Sequence, residues 1–326
     1  MSTTDYIFID FPIRNYLYDT NVKEVYIRKP LSKPMRFLRK LPVFSRFISN
    51  TKEKKDWTKE CQGAKNLILF DTYAHYAYYC KEIEQTVSKD CRLILYLLNP
   101  AFFSEEYKLL SDRWEIWTFM EEDAKKYGFR YGATFYNPLL SNIPVNLHSL
   151  GTKQEESFLF IGTDKGRKDF LLNLKAKLKP CGIKCDFRIV DNFKSLYDKN
   201  YSREVDYFTL CHLTKESCAL LDVVQKGQSG LTLRFMEGLL FNKKVVTTNV
   251  HIKENKDFGN NSNIYVLTPY NINELNTFLN KPSTAYPQKL KEKYSFEKWL
   301  ERLDKKNKNK KQKQRKKAKI GRRCFS

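Results

Sequence analysis

Residues Leu221–Asn249 read LDVVQKGQSGLTLRFMEGLLFNKKVVTTN. An apolar run breaks into a polar loop holding Gly227 and Gly230. A helix-like segment follows, and a β-branched run then ends at Asn249. Strand, glycine loop, helix and strand in that order form the unit of an open parallel α/β sheet. Ligands of such sheets bind beyond the carboxyl ends of the strands, which places Gln228, Ser229 and Gly230 beside one. Glycine lets the backbone approach a ligand closely. The helix is expected to start near Ser229–Leu231, where its free N–H groups and positive dipole end suit a diphosphate. Arg234 and Glu237 lie three apart on one face of it. Arginine matches phosphate oxygens bidentately, and a carboxylate accepts hydrogen bonds from two ribose hydroxyls. The spacing equally allows a surface Arg–Glu pair on a helix capped by Ser229.

A second loop has the same character. FLFIGTDKGRKDFLLNL (Phe158–Leu174) runs strand, Gly162, basic loop, helix. Lys165 and Arg167 can hold phosphate charge there, while Gly162 allows close approach. Either residue alone also reads as a solvated loop cation.

Outward from these loops, alternating strands and helices continue in both directions. In the first half strands are expected at Tyr6–Phe11, Asn66–Phe70, Arg92–Leu98, Trp114–Phe119 and Arg130–Tyr136, with helices at Tyr73–Ser88 and Glu121–Tyr127. After a linker around Ser141–Thr152, strands are expected at Ser157–Ile161, Asp186–Val190, Tyr207–Leu210, Leu220–Val224, Lys244–Thr247 and Ile264–Leu267, with a helix at Arg167–Leu178. The expected fold class is α/β, with two Rossmann-like parallel-sheet domains facing a cleft. Residues 1–145 are expected to form the first domain, with a basic amphipathic insert at 28–59. Residues 153–300 form a nucleotide-binding domain, and 304–326 a basic disordered tail.

The 326 residues carry a formal charge of +22, and 14% are aromatic. The charge is local: Lys305–Arg323 and Arg28–Lys59 together account for 21 of the 22. A near-neutral body with two basic attachments favours anionic partners, here an anionic membrane surface. In Lys33–Asn50, Phe37, Leu41, Phe44 and Ile48 have helical spacing, interrupted at Pro42. That fits either an interfacial helix or one packed on its domain. No nucleic-acid recognition motif is present, so no specific nucleic-acid partner is expected. Eight scattered cysteines without a CxxC pair suggest reduced thiols in the cytoplasm. No cofactor and no metal site are expected. The start MSTTDYIFIDFP lacks a secretory pattern, and no window reaches transmembrane length.

The second half resembles the nucleotide-sugar-binding domain of GT-B glycosyltransferases, especially bacterial enzymes of capsule, lipopolysaccharide and exopolysaccharide assembly. FIGTDKGRKDFLLNL resembles their first strand and basic loop. SGLTLRFMEGLLFNKKVV (Ser229–Val246) resembles their E-G-F-G-x-x-x-x-E-A-x-A-x-G-x-P-V-V region over a resemblance spanning roughly residues 155–270. It implies that Glu237 holds the donor ribose and that Gly230 is the loop glycine. Two positions depart from the pattern: the first glutamate falls on Ser229 and the second glycine on Thr232. DFPIRNYLY (Asp10–Tyr18) stands where the first domain of this family commonly has a glycine-rich loop.

The resemblance implies a metal-independent glycosyltransferase. It would move sugar from a nucleoside-diphosphate sugar to a glycan or lipid-linked acceptor, on the cytoplasmic side or at the inner face of the cell membrane. Lys165, Arg167 and the Ser229–Gly230 helix start would stabilise the leaving diphosphate. A base, if one is needed, is expected at a first-domain strand end: Asp10, or Asp71 with His75 four residues on. A helix N-cap role explains Asp71 as well. Two alternatives remain: phosphopolyol transfer from a cytidine nucleotide, and nonenzymatic nucleotide or polyanion binding.

Overall fold

Asn66–Phe70 (NLILF) and Arg92–Leu97 (RLILYL) show no polar alternation, the mark of parallel strands covered on both faces. A computed structural model of the protein describes residues 5–30, 51–53, 56–72, 75–143 and 157–304, and both runs are central strands of one sheet. The chain divides into two compact units: Met1–Thr118 with Asp123–Tyr131, and Phe119–Glu122 with Gly132–Ser326. The second unit thus includes residues 132–143, which the sequence reading assigned to the first domain. Within that unit Tyr136 pairs with Ser295, and its N–H donates to the Tyr294 carbonyl at 3.0 Å.

In unit 1, strands β1 (Tyr6–Ile9), β2 (Lys23–Val25), β5 (Asn66–Phe70), β6 (Arg92–Leu97), β7 (Trp114–Thr118) and β8 (Arg130–Tyr131) form a sheet in the order β2-β1-β5-β6-β7-β8. Every neighbouring pair is parallel. Strands β3 (Arg28–Pro30) and β4 (Thr51–Glu53) pair antiparallel, apart from that sheet. The short helix α1 (Trp57–Glu60) follows, and α2 (Tyr76–Thr86) lies between β5 and β6. The buried side of α2 presents Tyr76, Tyr79, Cys80 and Ile83 to Leu67, Leu69, Leu93 and Leu95, the i, i+3, i+4, i+7 stripe of a helix on a sheet. Glu115 on β7 bonds Arg92 on β6 (2.6 Å) and Arg130 on β8 (2.8 Å). Burial opposes its ionisation, but the two arginines outweigh that and hold its carboxyl below the usual range.

In unit 2, β9 (Phe158–Thr163), β10 (Cys185–Val190), β11 (Tyr201–Ser202), β12 (Ala219–Asp222), β13 (Lys244–Thr247) and β14 (Ile264–Val266) form a second parallel sheet, ordered β11-β10-β9-β12-β13-β14. This is the doubly wound order, with its switch point between β9 and β12. Helix α4 (Lys168–Leu178) brings Leu171, Leu174 and Leu178 onto Phe158, Phe160, Leu221 and Val246 in the core. Helix α3 (Glu121–Tyr127) has the bounds expected for it. Helices α5 (Tyr207–Glu216), α6 (Leu233–Phe241), α7 (Leu275–Asn280) and α8 (Gln288–Tyr294) complete the named helices.

The segment Tyr207–Leu210 is not a strand but the first turn of α5. Its carboxylate cap decides this: Asp206 accepts from the N–H groups of Phe208 and Thr209, and the short apolar run YFTL alone does not distinguish helix from strand. The strand expected at Arg130–Tyr136 stops at Tyr131, because the chain then passes to unit 2. Helix α2 starts at Tyr76, with residues 73–74 outside the described ones. The linker expected around Ser141–Thr152 lies mostly outside the described residues, within 144–156. So do Lys33–Asn50 of the basic insert and residues 305–326 of the tail. Among the described residues no helix is long and apolar enough to cross a membrane.

Candidate functional site

Strand β12 ends in Asp222, which is 3% exposed. Its carboxylate accepts from Thr232 Oγ1 at 2.9 Å and Thr247 Oγ1 at 2.7 Å. Thr232 is the N-cap of α6, its hydroxyl oxygen accepting from the Arg234 N–H at 3.2 Å. The helix therefore begins at Leu233, two to four residues later than the sequence suggests, and Ser229 does not cap it. Burial raises the Asp222 carboxyl above its usual range, and Arg234 and Arg167 act against that.

Arg234 and Glu237 do face each other, as their spacing implies, but not at the surface. Nη1 of Arg234 lies 2.6 Å from Oε2 of Glu237, and the side chains are 15% and 1% exposed. Tyr207 on α5 donates its hydroxyl to Glu237 Oε1 at 3.3 Å. Burial pushes the Glu237 carboxyl up to about 7, and Arg234 and Tyr207 only partly reverse the shift.

Arg167 reaches the switch point from the other side. Its Nη1 donates to the Val223 carbonyl just beyond β12 at 2.6 Å, its Nη2 to the Thr163 carbonyl at the end of β9, and its Nε to Asp164 O at 3.2 Å. The guanidinium thus laces the ends of β9 and β12 together over the Phe160 ring, 5.2 Å from its centroid. Gly162 leaves room for it: a Cβ there would sit 3.3 Å from Arg167 Nη2. Three of the five guanidinium N–H groups are spent on carbonyls, so Arg167 is a fixed charge at the switch point rather than a mobile loop cation. Burial lowers its pKa, as does the charge of Arg234, while Asp222 and Asp164 raise it.

The remaining loop residues are also held. The Gln228 side chain accepts from the Gln225 N–H at 3.3 Å. Ser229 donates its hydroxyl to Glu122, and its carbonyl accepts from Asn249 Nδ2 at 2.8 Å. Gly230 is required sterically, because a Cβ would lie 2.6 Å from the Phe119 ring and 2.9 Å from its carbonyl oxygen. Lys165 sits two residues before Arg167. It has a φ of 45° in the tight turn before Gly166 (φ 80°) and lines a depression on the β10 side of β9.

In unit 1, Asp10 and Asp71 follow the ends of the adjacent strands β1 and β5, the switch point of that sheet. Asp10 takes a φ of 53°, and its Oδ1 accepts from the Ile27 N–H at 3.1 Å. Asp71 caps no helix. Its carboxylate gathers the loop after β6, accepting from Leu98 N at 2.6 Å, Asn99 N at 3.2 Å and Asn99 Nδ2 at 3.3 Å. Burial pushes it up to about 7 against those bonds. His75 turns to Glu106 (2.9 Å) and is 86% exposed. Glu106 also accepts from Ala77 N and so caps α2. Among the described residues no group of three His, Cys, Asp or Glu is placed to hold a metal ion.

The structure thus gathers Arg167, Arg234 and Glu237 around one switch point and adds Asp222, Thr232, Thr247 and Tyr207, which the sequence reading did not single out. The signal for Asp222 was present: it is the first polar residue after the run ALL, at the carboxyl end of a buried strand.

No family model and no curated protein matches the sequence. Solved structures do. A UDP-GlcNAc 2-epimerase from Methanocaldococcus jannaschii, in complex with UDP-GlcNAc and UDP, is similar over 93% of this chain and 99% of its own, with a TM-score of 0.50 and 11% identity. Sucrose-phosphate synthase from Thermosynechococcus elongatus is similar over 93% and 98%, with a TM-score of 0.53 and 9% identity. The chain has a GT-B-type fold. At such identities the likeness carries the GT-B architecture alone, and chemistry has to be argued from the residues.

Proposed function

We propose that this protein is a glycosyltransferase that uses a nucleoside-diphosphate sugar, bound by unit 2. The observation that carries the reading is the convergence of Arg167 and Arg234 on Asp222 and the N-terminus of α6 at the β9/β12 switch point. Two cations beside a helix N-terminus stabilise a diphosphate, both bound and as a leaving group. The 2-epimerase of the same fold holds UDP-GlcNAc and UDP, which supports a nucleotide sugar as the ligand class.

Glu237 has a conditional part in this reading. Its carboxylate is covered by Arg234 and Tyr207. When a phosphate draws Arg234 away, the exposed carboxylate takes ribose hydroxyls in its place, so ligand binding and partner exchange are one event. Unit 1 takes the acceptor, a glycan or lipid-linked sugar of surface polysaccharide assembly. Asp71, whose carboxyl burial raises to about 7, matches general acid–base chemistry at physiological pH. The basic segments 28–59 and 304–326 hold the enzyme at an anionic membrane surface, a reading supported by their charge alone.

The test is thermal stability against UDP, GDP, CDP, ADP, dTDP and CMP, for wild type, Arg234→Gln and Glu237→Gln. A ligand at a hundred times its Kd stabilises the fold by ~2.7 kcal/mol. A shift by one diphosphate in wild type, lost in both variants, is expected and names the base. A response to CMP or CDP alone supports phosphopolyol transfer instead. No response to any nucleotide from folded protein removes the donor site. With the base known, product analysis with the matching sugar nucleotide separates transfer from epimerisation.

A further inference from the structure

Across β9 from the arginine cluster, unit 2 carries an open depression of about 550 Å³ lined by the 163–166 turn, the end of β10 and the following loop. We propose that this depression is a carbohydrate-binding subsite for a neutral, hydroxyl-rich sugar ring, separate from the diphosphate site. Its charge decides the class of ligand. Lys165 and Lys194 are outnumbered in the lining by Asp164, Asp191 and Glu204, so a diphosphate entering it meets three carboxylates. A neutral polyol meets a mixed set of donors and acceptors, the composition that hydroxyl groups need.

The lining residues are braced from behind rather than loosely placed. Tyr201 donates its hydroxyl to Asp164 (2.7 Å) and accepts from Lys194 Nζ (3.2 Å). The ammonium groups of Lys168 and Lys194 each lie 4.7 Å from its ring centroid. Lys168 is anchored in turn on Asp198 at 2.7 Å. Asp191 accepts from the N–H groups of Phe193 and Lys194 and so fixes the wall. Asn192 and Glu204, both in the lining, form an exposed amide–carboxylate pair at 3.3 Å. This is the planar polar chemistry that brackets adjacent sugar hydroxyls.

The loop that supplies this wall also exposes aromatic surface. Phe193 lies between the lining residues Asn192 and Lys194 and is 52% exposed; Tyr197 is 68% exposed. Their rings meet edge to face at 5.4 Å. An aromatic pair beside an Asn–Glu bracket offers a stacking face for the C–H side of a pyranose ring while the polar side chains take its hydroxyls.

The experiment is a glycan array probed with labelled full-length protein at 0.3 M salt, scoring neutral oligosaccharides only so that the basic segments do not contribute. Wild type is compared with Asn192→Ala, Glu204→Gln and Tyr197→Ala, all exposed or half-exposed positions. At least one neutral glycan is expected to bind wild type and to bind each variant about tenfold more weakly, the loss of one good hydrogen bond or stacking contact. UDP-type thermal shifts are expected to be unchanged in all three variants, so that failure here is distinguishable from failure of the donor site. Binding of no neutral glycan, or binding indifferent to all three substitutions, overturns the proposal. So does a nucleotide response lost in these variants, which would make the depression part of the nucleotide site.

Discussion

Glu237→Gln tests the electrostatic reading of unit 2 in one step. The folded carboxyl is held at about 7, against 4.5 without the protein around it, because burial disfavours its charge more than Arg234 and Tyr207 favour it. A group whose pKa is raised by folding contributes stability that is full below its unfolded pKa and is lost as pH rises through the folded one. Glu237 therefore stabilises the fold below pH 4.5 and progressively less up to pH 7 and beyond. With these two values the linkage relation gives about 2 kcal/mol more stability from this group at pH 5.5 than at pH 8.5. Burial raises Asp71 and Asp222 as well, so wild type loses more than this in total. Glutamine has no proton to release, and the loss between the two pH values should be smaller in the variant by about 2 kcal/mol. The assay is urea unfolding followed by circular dichroism for both proteins at both pH values. Any pH-independent offset between the two proteins, such as changed packing or hydrogen bonding at the substituted carboxyl, cancels in the difference. An equal loss in the two proteins would refute the reasoning, because it would mean Glu237 is ionised across the whole range.

Other outcomes follow from the same contacts. Thr232→Ala should cost unit 2 about 1–2 kcal/mol in urea unfolding by removing the α6 cap, with Thr232→Ser close to wild type. Gly238→Ala places a Cβ 2.6 Å from Val245 Cγ2, so α6 must lift off β13, at a cost of about 1–3 kcal/mol by the same assay. Glu115→Ala leaves Arg92 and Arg130 half-buried without their common partner, and should lower the stability of unit 1 by about 3–5 kcal/mol in calorimetry.

The sheets were largely legible because their strands carry an unambiguous signal. Runs such as NLILF and FLFIG are too apolar for a half-exposed element and too short for a buried helix, and each precedes a periodic segment. What the sequence hid was decided by single side chains. Asp206 turns YFTL into a helix by capping it. β2 and β11 are short strands of three and two residues, held by pairing rather than by composition, which leaves no pattern to read. The start of α6 was misplaced because Ser229 and Thr232 are both good caps. Asp222 selects Thr232 by accepting its hydroxyl, a contact between a strand end and a helix cap that neither residue's own sequence signal reveals.

The site residues were legible by type but not by environment, and the environment changes what they can do. Arg234 and Glu237 were visible as a pair, yet the spacing fits an exposed ion pair worth little as well as a buried one. Arg167 was visible as a loop cation, yet its guanidinium is fixed on strand-end carbonyls. Burial is the point on which function turns. Two arginines and two carboxylates are gathered at one switch point, where apolar side chains of similar volume would serve stability as well or better, since ion pairs gain little once desolvation is counted. In the proposed function the cluster is poised: with Asp222 committed to Thr232 and Thr247, an arriving dianion competes with Glu237 for Arg234. In the proposed function, release of Glu237 from Arg234 frees its carboxyl to bond the ligand's hydroxyls in place of the guanidinium. A fold that keeps this arrangement at the carboxyl end of β12 gives up stability there, and binding of an anionic, hydroxyl-bearing ligand is what would restore it.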